Sequence, residues 1–135
     1  MKEIFLDTSA YSAFKRGTAK VMEAIREADQ VFLNAIVIGE LLSGFSGGKF
    51  NEPNRQELKE FLSFPYVTIL PLSEETAERY AFIYSDLKAH GTPIPTNDLW
   101  IAASVMEKGA ALLTFDQHFS KVHQIQTLLI PMIPT

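Results

Sequence analysis

The sequence has 135 residues, of which 47% are apolar and 21% are charged. A chain of this length buries about 70% of its unfolded surface, so we expect one domain over residues 1–135. Because the chain has no cysteine, a disulfide framework and a cysteine-based zinc site are excluded. The net charge of −4 argues against a broad electrostatic grip on a polyanion, so a nucleic-acid partner would need bound cations or a local basic patch.

The apolar runs of the sequence are short. Nowhere do they approach the ~20 residues of a membrane span. The first run, Ile4 to Leu6, stops at Asp7, which leaves no long apolar signal region. We therefore expect a cytoplasmic protein with no membrane partner.

Short apolar runs alternate with segments of helical periodicity along the chain, which predicts strands alternating with helices. Continuous apolar runs are typical of parallel strands buried on both faces. Strands are predicted over residues 4–6, 31–33, 66–70, 110–114 and 124–128. Helices are predicted over residues 9–15, 19–28, 35–45 and 53–63, between Ser73 and Gly91, between Thr96 and Gly109, and over residues 117–120.

Hydroxyl residues mark several of the predicted helix starts. Thr8 and Ser9 are predicted N-caps of the first helix, and Thr18, Ser73 and Thr96 of later ones. In the helix after Ser73, the predicted inward stripe consists of Ala77, Tyr80, Ala81, Tyr84 and Leu87. The alternation of strands and helices implies right-handed crossovers. The predicted fold is α/β, an α/β/α sandwich around a central, mostly parallel sheet of four to five strands.

Four acids occupy comparable places on this map. Asp7 and Asp116 follow strands, Glu40 interrupts an apolar helix, and Asp98 lies in the first turn of the helix after Thr96. Open α/β sheets bind ligands beyond the carboxyl ends of their strands. Crowded carboxylates raise one another's pKa, and a divalent cation would relieve that repulsion. We hypothesise that these acids gather at one edge of the sheet around Mg²⁺ or Mn²⁺, which prefer oxygen ligands.

Each acid also has an ordinary structural alternative. Asp7 and Asp116 could be plain N-caps, and Asp98 could simply complement the helix dipole. Glu40 could extend from the helix edge into solvent, although a carboxylate among apolar residues needs a partner. The histidines show no zinc-binding spacing and are predicted to be surface residues: His90, His118 and His123.

Four motifs resemble those of the PIN domain: FLDTSA, IGELLSG, TNDLWIAA and LLTFDQHF. Within that family they are most similar to the VapC-type toxins of toxin–antitoxin pairs. The resemblance covers residues 2–128. It implies a Mg²⁺- or Mn²⁺-dependent endoribonuclease with catalytic acids Asp7, Glu40, Asp98 and Asp116.

The resemblance implies Asp7 and Asp98 as the surest metal ligands, and Asp116 as the least certain acid. It implies hydrolysis by a metal-activated water, for which the predicted burial makes Glu40 the first candidate proton acceptor. Thr8, Asn97 and Thr114 could orient the carboxylates or be plain caps and turn residues.

The implied partners are RNA, a cognate antitoxin and a second copy of the chain in a homodimer. Four basic residues could bind RNA phosphates or be ordinary solvated charges: Lys15, Arg16, Lys20 and Lys49. Tyr11 and Trp100 could stack on bases, although Trp100 is predicted to pack in the core. Aromatic residues could form a partner surface or pack inside: Phe45, Phe50, Phe61 and Phe64.

Two other functions remain as alternatives. A metal-dependent phosphatase or receiver-like domain also places acids at strand ends, but such sites usually need adjacent acids, and here Thr8 and Ser9 follow Asp7. A non-catalytic RNA-binding or scaffold protein of the same fold is the second alternative, and the presence of all four acids argues against it.

Overall fold

The computed structural model describes residues 2–131, and that range confirms the predicted α/β/α sandwich, a five-stranded parallel sheet flanked by six α-helices. The observed bounds differ from the predicted ones by only one or two residues at each end. In chain order the elements are β1 (Glu3–Leu6), α1 (Thr8–Lys15), α2 (Ala19–Glu27), β2 (Gln30–Asn34), α3 (Ala35–Phe45), α4 (Asn51–Leu62), β3 (Val67–Leu70), α5 (Glu74–Ala89), α6 (Thr96–Lys108), β4 (Ala111–Thr114), a 3₁₀ helix (Gln117–Lys121) and β5 (Gln126–Leu129).

The strands lie in the order β3-β2-β1-β4-β5, and every pair is parallel. β1 is central: Ile4 is in register with Val31 of β2 on one side and with Ala111 of β4 on the other. The chain first builds the sheet outward from β1 through β2 to β3, and then returns to add β4 on the opposite side of β1. The strand order therefore changes direction between β1 and β4, which is where open α/β sheets form their ligand crevice.

The core lies on both faces of the central strands. Ile4, Phe5 and Leu6 of β1 are all buried, as are Leu112 and Leu113 of β4. Such burial on both sides explains why the sequence shows continuous apolar runs here rather than alternation. No helix within residues 2–131 has the length and apolar character needed to cross a membrane.

The predicted inward stripe of α5 is mostly wrong. Leu87 is buried, but Ala77, Ala81 and Tyr84 are exposed and Tyr80 is only half-buried. The buried positions are Thr76, Ile83 and Leu87. Thr76 enters the core although it is polar, because its hydroxyl completes the capping box with Ser73 and donates a hydrogen bond to Glu107 of α6.

The predicted helix caps are confirmed in part. Ser73 caps α5, and Gly109 ends α6 with a φ of 76°. Thr96 is instead the first residue of α6, after Pro95 at the N-cap position. Thr18 occupies the N-cap position of α2 without a side-chain capping bond in the described chain. Thr8 already lies inside α1, whose N-cap is Asp7.

Candidate metal centre

A cavity of about 270 Å³ opens at the carboxyl edge of the sheet, next to the crevice between β1 and β4. All four predicted acids contribute to its wall, so the structure brings together residues from four separate parts of the chain. The lining residues are Asp7, Thr8, Ser9, Ser12, Glu40, Asp98, Ile101 and Asp116.

Asp7 is the most enclosed of the four acids, with 4% of its surface exposed. It caps α1, and its Oδ1 accepts hydrogen bonds from the Ala10 backbone N–H at 2.9 Å and from the Ser9 hydroxyl at 2.7 Å. Its Oδ2 accepts the hydroxyl of Thr114. Burial raises the pKa of Asp7, while these three hydrogen bonds oppose that rise. Asp7 is therefore both a helix cap and part of the wall of the cavity. At the level of the sequence these two roles are alternatives, and the structure combines them.

Glu40 is only half-buried, contrary to the burial predicted from its apolar neighbours in sequence. α3 directs its apolar side chains elsewhere and leaves Glu40 at the cavity. The Thr8 hydroxyl donates to Oε1 at 2.5 Å, and the Asn97 amide donates to Oε2 at 3.3 Å. Thr8 and Asn97 therefore both contact a carboxylate of the cavity. Of the two predicted roles of Thr8, orienting a carboxylate or plain helix capping, the structure shows the contact with the carboxylate, while Asp7 is the cap.

Asp98, at the start of α6, faces the side chains that follow β4. Its Oδ2 lies 3.3 Å from Nδ1 of His118, and the same nitrogen lies 2.9 Å from Oδ1 of Asp116. Burial, followed by the nearby charge of Asp116, raises the pKa of Asp98 to about 7, while His118 opposes the rise. A cation bound beside Asp98 would stabilise the ionised carboxylate and so lower this pKa.

Asp116 is positioned by the turn that ends β4. Its backbone N–H donates to the Thr114 hydroxyl at 2.9 Å, and its Oδ1 accepts the backbone N–H of His118 at 2.9 Å. Asp116 thereby caps the 3₁₀ helix. The predicted N-cap and the predicted cavity acid are again the same residue.

His118 is the residue that sequence reasoning missed. It was predicted to be a surface histidine, and its side chain is 48% exposed, but its ring contacts two of the acids. One ligand atom each from Asp98, Asp116 and His118 lie within 4.8 Å of one another. The available signal was its position two residues after Asp116, because a capping bond from residue 118 to residue 116 brings the imidazole beside the carboxylate.

The side chains predicted as candidates for RNA contact differ in their exposure to solvent. Tyr11 is buried against Phe61, with ring centroids 5.3 Å apart, so it is not available for base stacking. Trp100 is half-buried against Tyr80, with centroids 4.5 Å apart, in place of the predicted core position. Lys15 forms an ion pair with Glu57 at 2.6 Å. The remaining basic candidates are exposed: Arg16, Lys20 and Lys49.

The donor set fits a hard or borderline divalent cation. Carboxylate oxygens are the ligands that such ions prefer, and an imidazole nitrogen is acceptable to first-row transition ions. Burial and the nearby charge of Asp116 raise the pKa of Asp98, and a bound cation would favour the ionised form of this carboxyl. The residues at this edge could therefore hold one divalent cation.

An all-parallel five-stranded sheet with acids at the switch between β1 and β4 is the arrangement of an α/β domain that binds a ligand at the carboxyl edge of its sheet. The chain belongs to the PIN domain family, whose sequence model matches residues 4–124. Among curated proteins it is similar to Ribonuclease VapC of Rickettsia bellii (strain RML369-C), with 30% identity over 132 residues that make up 96% of this chain and 97% of that protein.

Solved structures show the same fold. VapBC-1 from nontypeable Haemophilus influenzae superposes with a TM-score of 0.82 at 24% identity, covering 94% of this chain and 97% of that chain. VapBC-5 from Mycobacterium tuberculosis, described as a member of the VapBC family of toxin–antitoxin systems, superposes with a TM-score of 0.76 at 22% identity, covering 96% of this chain and 100% of that chain.

Proposed function

We propose that this protein is a divalent-metal-dependent endoribonuclease and the toxin of a VapBC-like toxin–antitoxin pair. The observation that carries the proposal is the meeting of Asp7, Glu40, Asp98 and Asp116 in one cavity. The name Ribonuclease VapC, carried by a relative that is 30% identical over nearly the whole chain, supports RNA as the substrate.

In the proposed site, Asp7 and Asp98 hold Mg²⁺ or Mn²⁺, and Glu40 and Asp116 complete the acidic wall. A bound divalent cation supplies Lewis-acid chemistry, which neutralises charge on a phosphate and makes a water more acidic. The hydrogen bonds of the chain's own residues fix the orientation of the carboxylates. Asp7 is fixed by Ser9, Ala10 and Thr114, which limits the directions in which its oxygens can point.

Glu40 is the proposed proton acceptor. Each of its oxygens accepts one hydrogen bond, which fixes the carboxylate and leaves lone pairs free on the cavity side. As the oxygen of the attacking water bonds to phosphorus, its proton passes to Glu40 and the bond between phosphorus and the 3′ oxygen breaks. The 3′ oxygen leaves with a proton from solvent, so the products are a 5′-phosphate and a 3′-hydroxyl.

The proposed partners are RNA, a cognate antitoxin and a second copy of the chain. The description of VapBC-5 as part of a toxin–antitoxin system supports the antitoxin. Exposed aromatic residues give the chain apolar surface that a protein partner could cover. Phe50 is 62% exposed, and the exposed rings of Phe64 and Tyr66 stack with centroids 5.6 Å apart.

The test is cleavage of structured RNAs with Mg²⁺ or Mn²⁺ by the wild type, Asp98→Asn and a matched control, Asp29→Asn. Asp29 is exposed and precedes β2, at the opposite edge of the sheet. We expect cleavage by the wild type and Asp29→Asn and at least a hundredfold loss in Asp98→Asn. Equal cleavage by all three proteins would show that the acids are not catalytic.

The product ends and the binding behaviour separate the alternatives. Ends carrying a 2′,3′-cyclic phosphate would mean that the RNA hydroxyl, and not water, attacks phosphorus. RNA binding without cleavage by the wild type would favour a non-catalytic protein of this fold. Release of phosphate from a monoester, without cleavage of RNA, would favour the phosphatase alternative.

A further inference from the structure

His118 lies beside two of the four acids of the proposed metal site, Asp98 and Asp116. Its Nδ1 is 2.9 Å from Oδ1 of Asp116 and 3.3 Å from Oδ2 of Asp98. Two ligand atoms bound at right angles to one cation, with bonds of about 2.1–2.2 Å, are about 3 Å apart. The two observed separations match neighbouring corners of such a coordination shell.

The backbone reinforces this placement. The N–H of His118 donates to Oδ1 of Asp116, so the turn that orients the carboxylate also fixes the start of the histidine side chain. The side chain of His118 is 48% exposed, so solvent reaches the ring that contacts the two acids.

We propose that Nδ1 of His118 and the carboxylate of Asp116 join Asp98 as ligands of the proposed cation, and that His118 makes the site selective for Mn²⁺ or another first-row transition ion over Mg²⁺. Imidazole is a good ligand for first-row transition ions, whereas Mg²⁺ binds oxygen almost exclusively. Replacing one oxygen corner with nitrogen therefore weakens Mg²⁺ relative to its competitors. The inference rests on the proposed metal site and adds the selectivity-determining residue.

The alternative is that His118 only contacts the acids and is displaced when the cation binds. The two roles differ in a directly measurable way. A ligand nitrogen couples magnetically to bound Mn²⁺, and a displaced imidazole does not.

The experiment uses the full chain, stripped of metal with a chelator and loaded with less than one equivalent of MnCl₂. Pulsed electron paramagnetic resonance then detects ¹⁴N coupling to the bound ion. We expect ¹⁴N coupling in the wild type and its replacement by ¹⁵N coupling when the protein carries ¹⁵N-labelled histidine. This comparison needs no substitution, so it does not depend on the folding of a variant.

Substitutions identify which histidine is responsible. We expect His118→Ala and His118→Gln to lose the coupling and to weaken Mn²⁺ binding about tenfold or more, with an effect of less than about twofold on Mg²⁺. The matched control is His123→Ala. His123 is exposed, and its ring lies 6.2 Å from that of His90. We expect this control to bind both ions like the wild type.

The outcomes separate this inference from the proposed function. Bound Mn²⁺ without nitrogen coupling, or coupling that persists in His118→Ala, would overturn the role of His118 and leave the acidic metal site standing. Failure of the wild type to bind Mn²⁺ at all, with no difference from Asp98→Asn, would overturn both.

Discussion

The hydroxyl of Thr114, the last residue of β4, donates a hydrogen bond to the buried carboxylate of Asp7, the first residue after β1. The two residues come from neighbouring parallel strands that are far apart in the chain. Ser9 adds a second link, because its Oγ donates to Asp7 at 2.7 Å and accepts the backbone N–H of Phe115 at 3.0 Å. Asp7 is thus held both by α1, which follows β1, and by the end of β4.

Removing the Thr114 hydroxyl should destabilise the protein. Thr114→Val keeps the shape but leaves Oδ2 of Asp7 and the backbone N–H of Asp116 without this partner. We expect the free energy of unfolding to fall by about 1–3 kcal/mol, measured by urea denaturation. Thr127→Val is the matched control, because the Thr127 Oγ is buried without a hydrogen-bond partner within residues 2–131. We expect that substitution to be neutral or stabilising, and an equal loss in both variants would contradict the argument.

The metal-free protein should lose stability as the pH rises from about 4 to about 7. The folded pKa of Asp98, about 7, lies above its ordinary value of 3.8, so the folded state holds a proton that the unfolded state releases. The stabilisation from this group is complete below pH 4 and is lost as the pH passes through 7. The melting temperature in EDTA across this range measures the effect, and the slope should be shallower in Asp98→Asn. Added Mn²⁺ should restore stability at pH 7, and a wild-type slope of zero in EDTA would refute the prediction.

Thr8 should affect catalysis more than folding. Thr8→Val removes the donor that holds Oε1 of Glu40 in a half-buried position. We expect the cleavage rate to fall about tenfold, as for other residues that orient a catalytic carboxylate, with the free energy of unfolding lowered by about 1 kcal/mol or less. Thr8→Ser retains the hydroxyl and should recover most of the rate. A rate that follows stability in both variants would indicate a merely structural role.

Two helix starts offer a paired test of capping. Ser73 accepts the backbone N–H of Thr76 and takes part in a capping box, so Ser73→Ala should cost about 1 kcal/mol. Thr18 sits at the equivalent position of α2, where the described chain shows no side-chain capping bond. Thr18→Ala should therefore change the free energy of unfolding much less. Thermal or urea unfolding of the two variants checks the difference, and equal losses would show that the capping bond is not the cause.

The order of strands and helices could be predicted largely because the three central strands, β1, β2 and β4, each contain an uninterrupted apolar run. The residues that α5 buries could not be predicted in this way. Tyr84 and Ala81 look suitable for burial, but Thr76 takes a core position through bonds to Ser73 and Glu107 that depend on tertiary structure. Local periodicity does not contain that information.

The identity of the four acids could also be predicted, but their surroundings could not. Asp7, Thr8 and Ser9 are all good N-cap residues, so their sequence does not decide which one caps α1. The contacts of His118 with Asp98 join α6 to the turn after β4, and no spacing along the chain measures that distance. Glu40 was expected to be buried because its sequence neighbours are apolar, but the face of α3 that reaches the cavity is decided by packing.

The central place of β1 has a consequence for the protein while it is being synthesised. Asp7 emerges from the ribosome 107 residues before Thr114. Until β4 is made, one side of β1 has no neighbouring strand, and neither Asp116 nor His118 exists. Contacts of such long sequence separation form slowly, because the entropy of closing a long loop must be overcome first. A nascent chain therefore cannot assemble the acidic cavity. The complete site forms only after β4 and the turn that follows it have been translated.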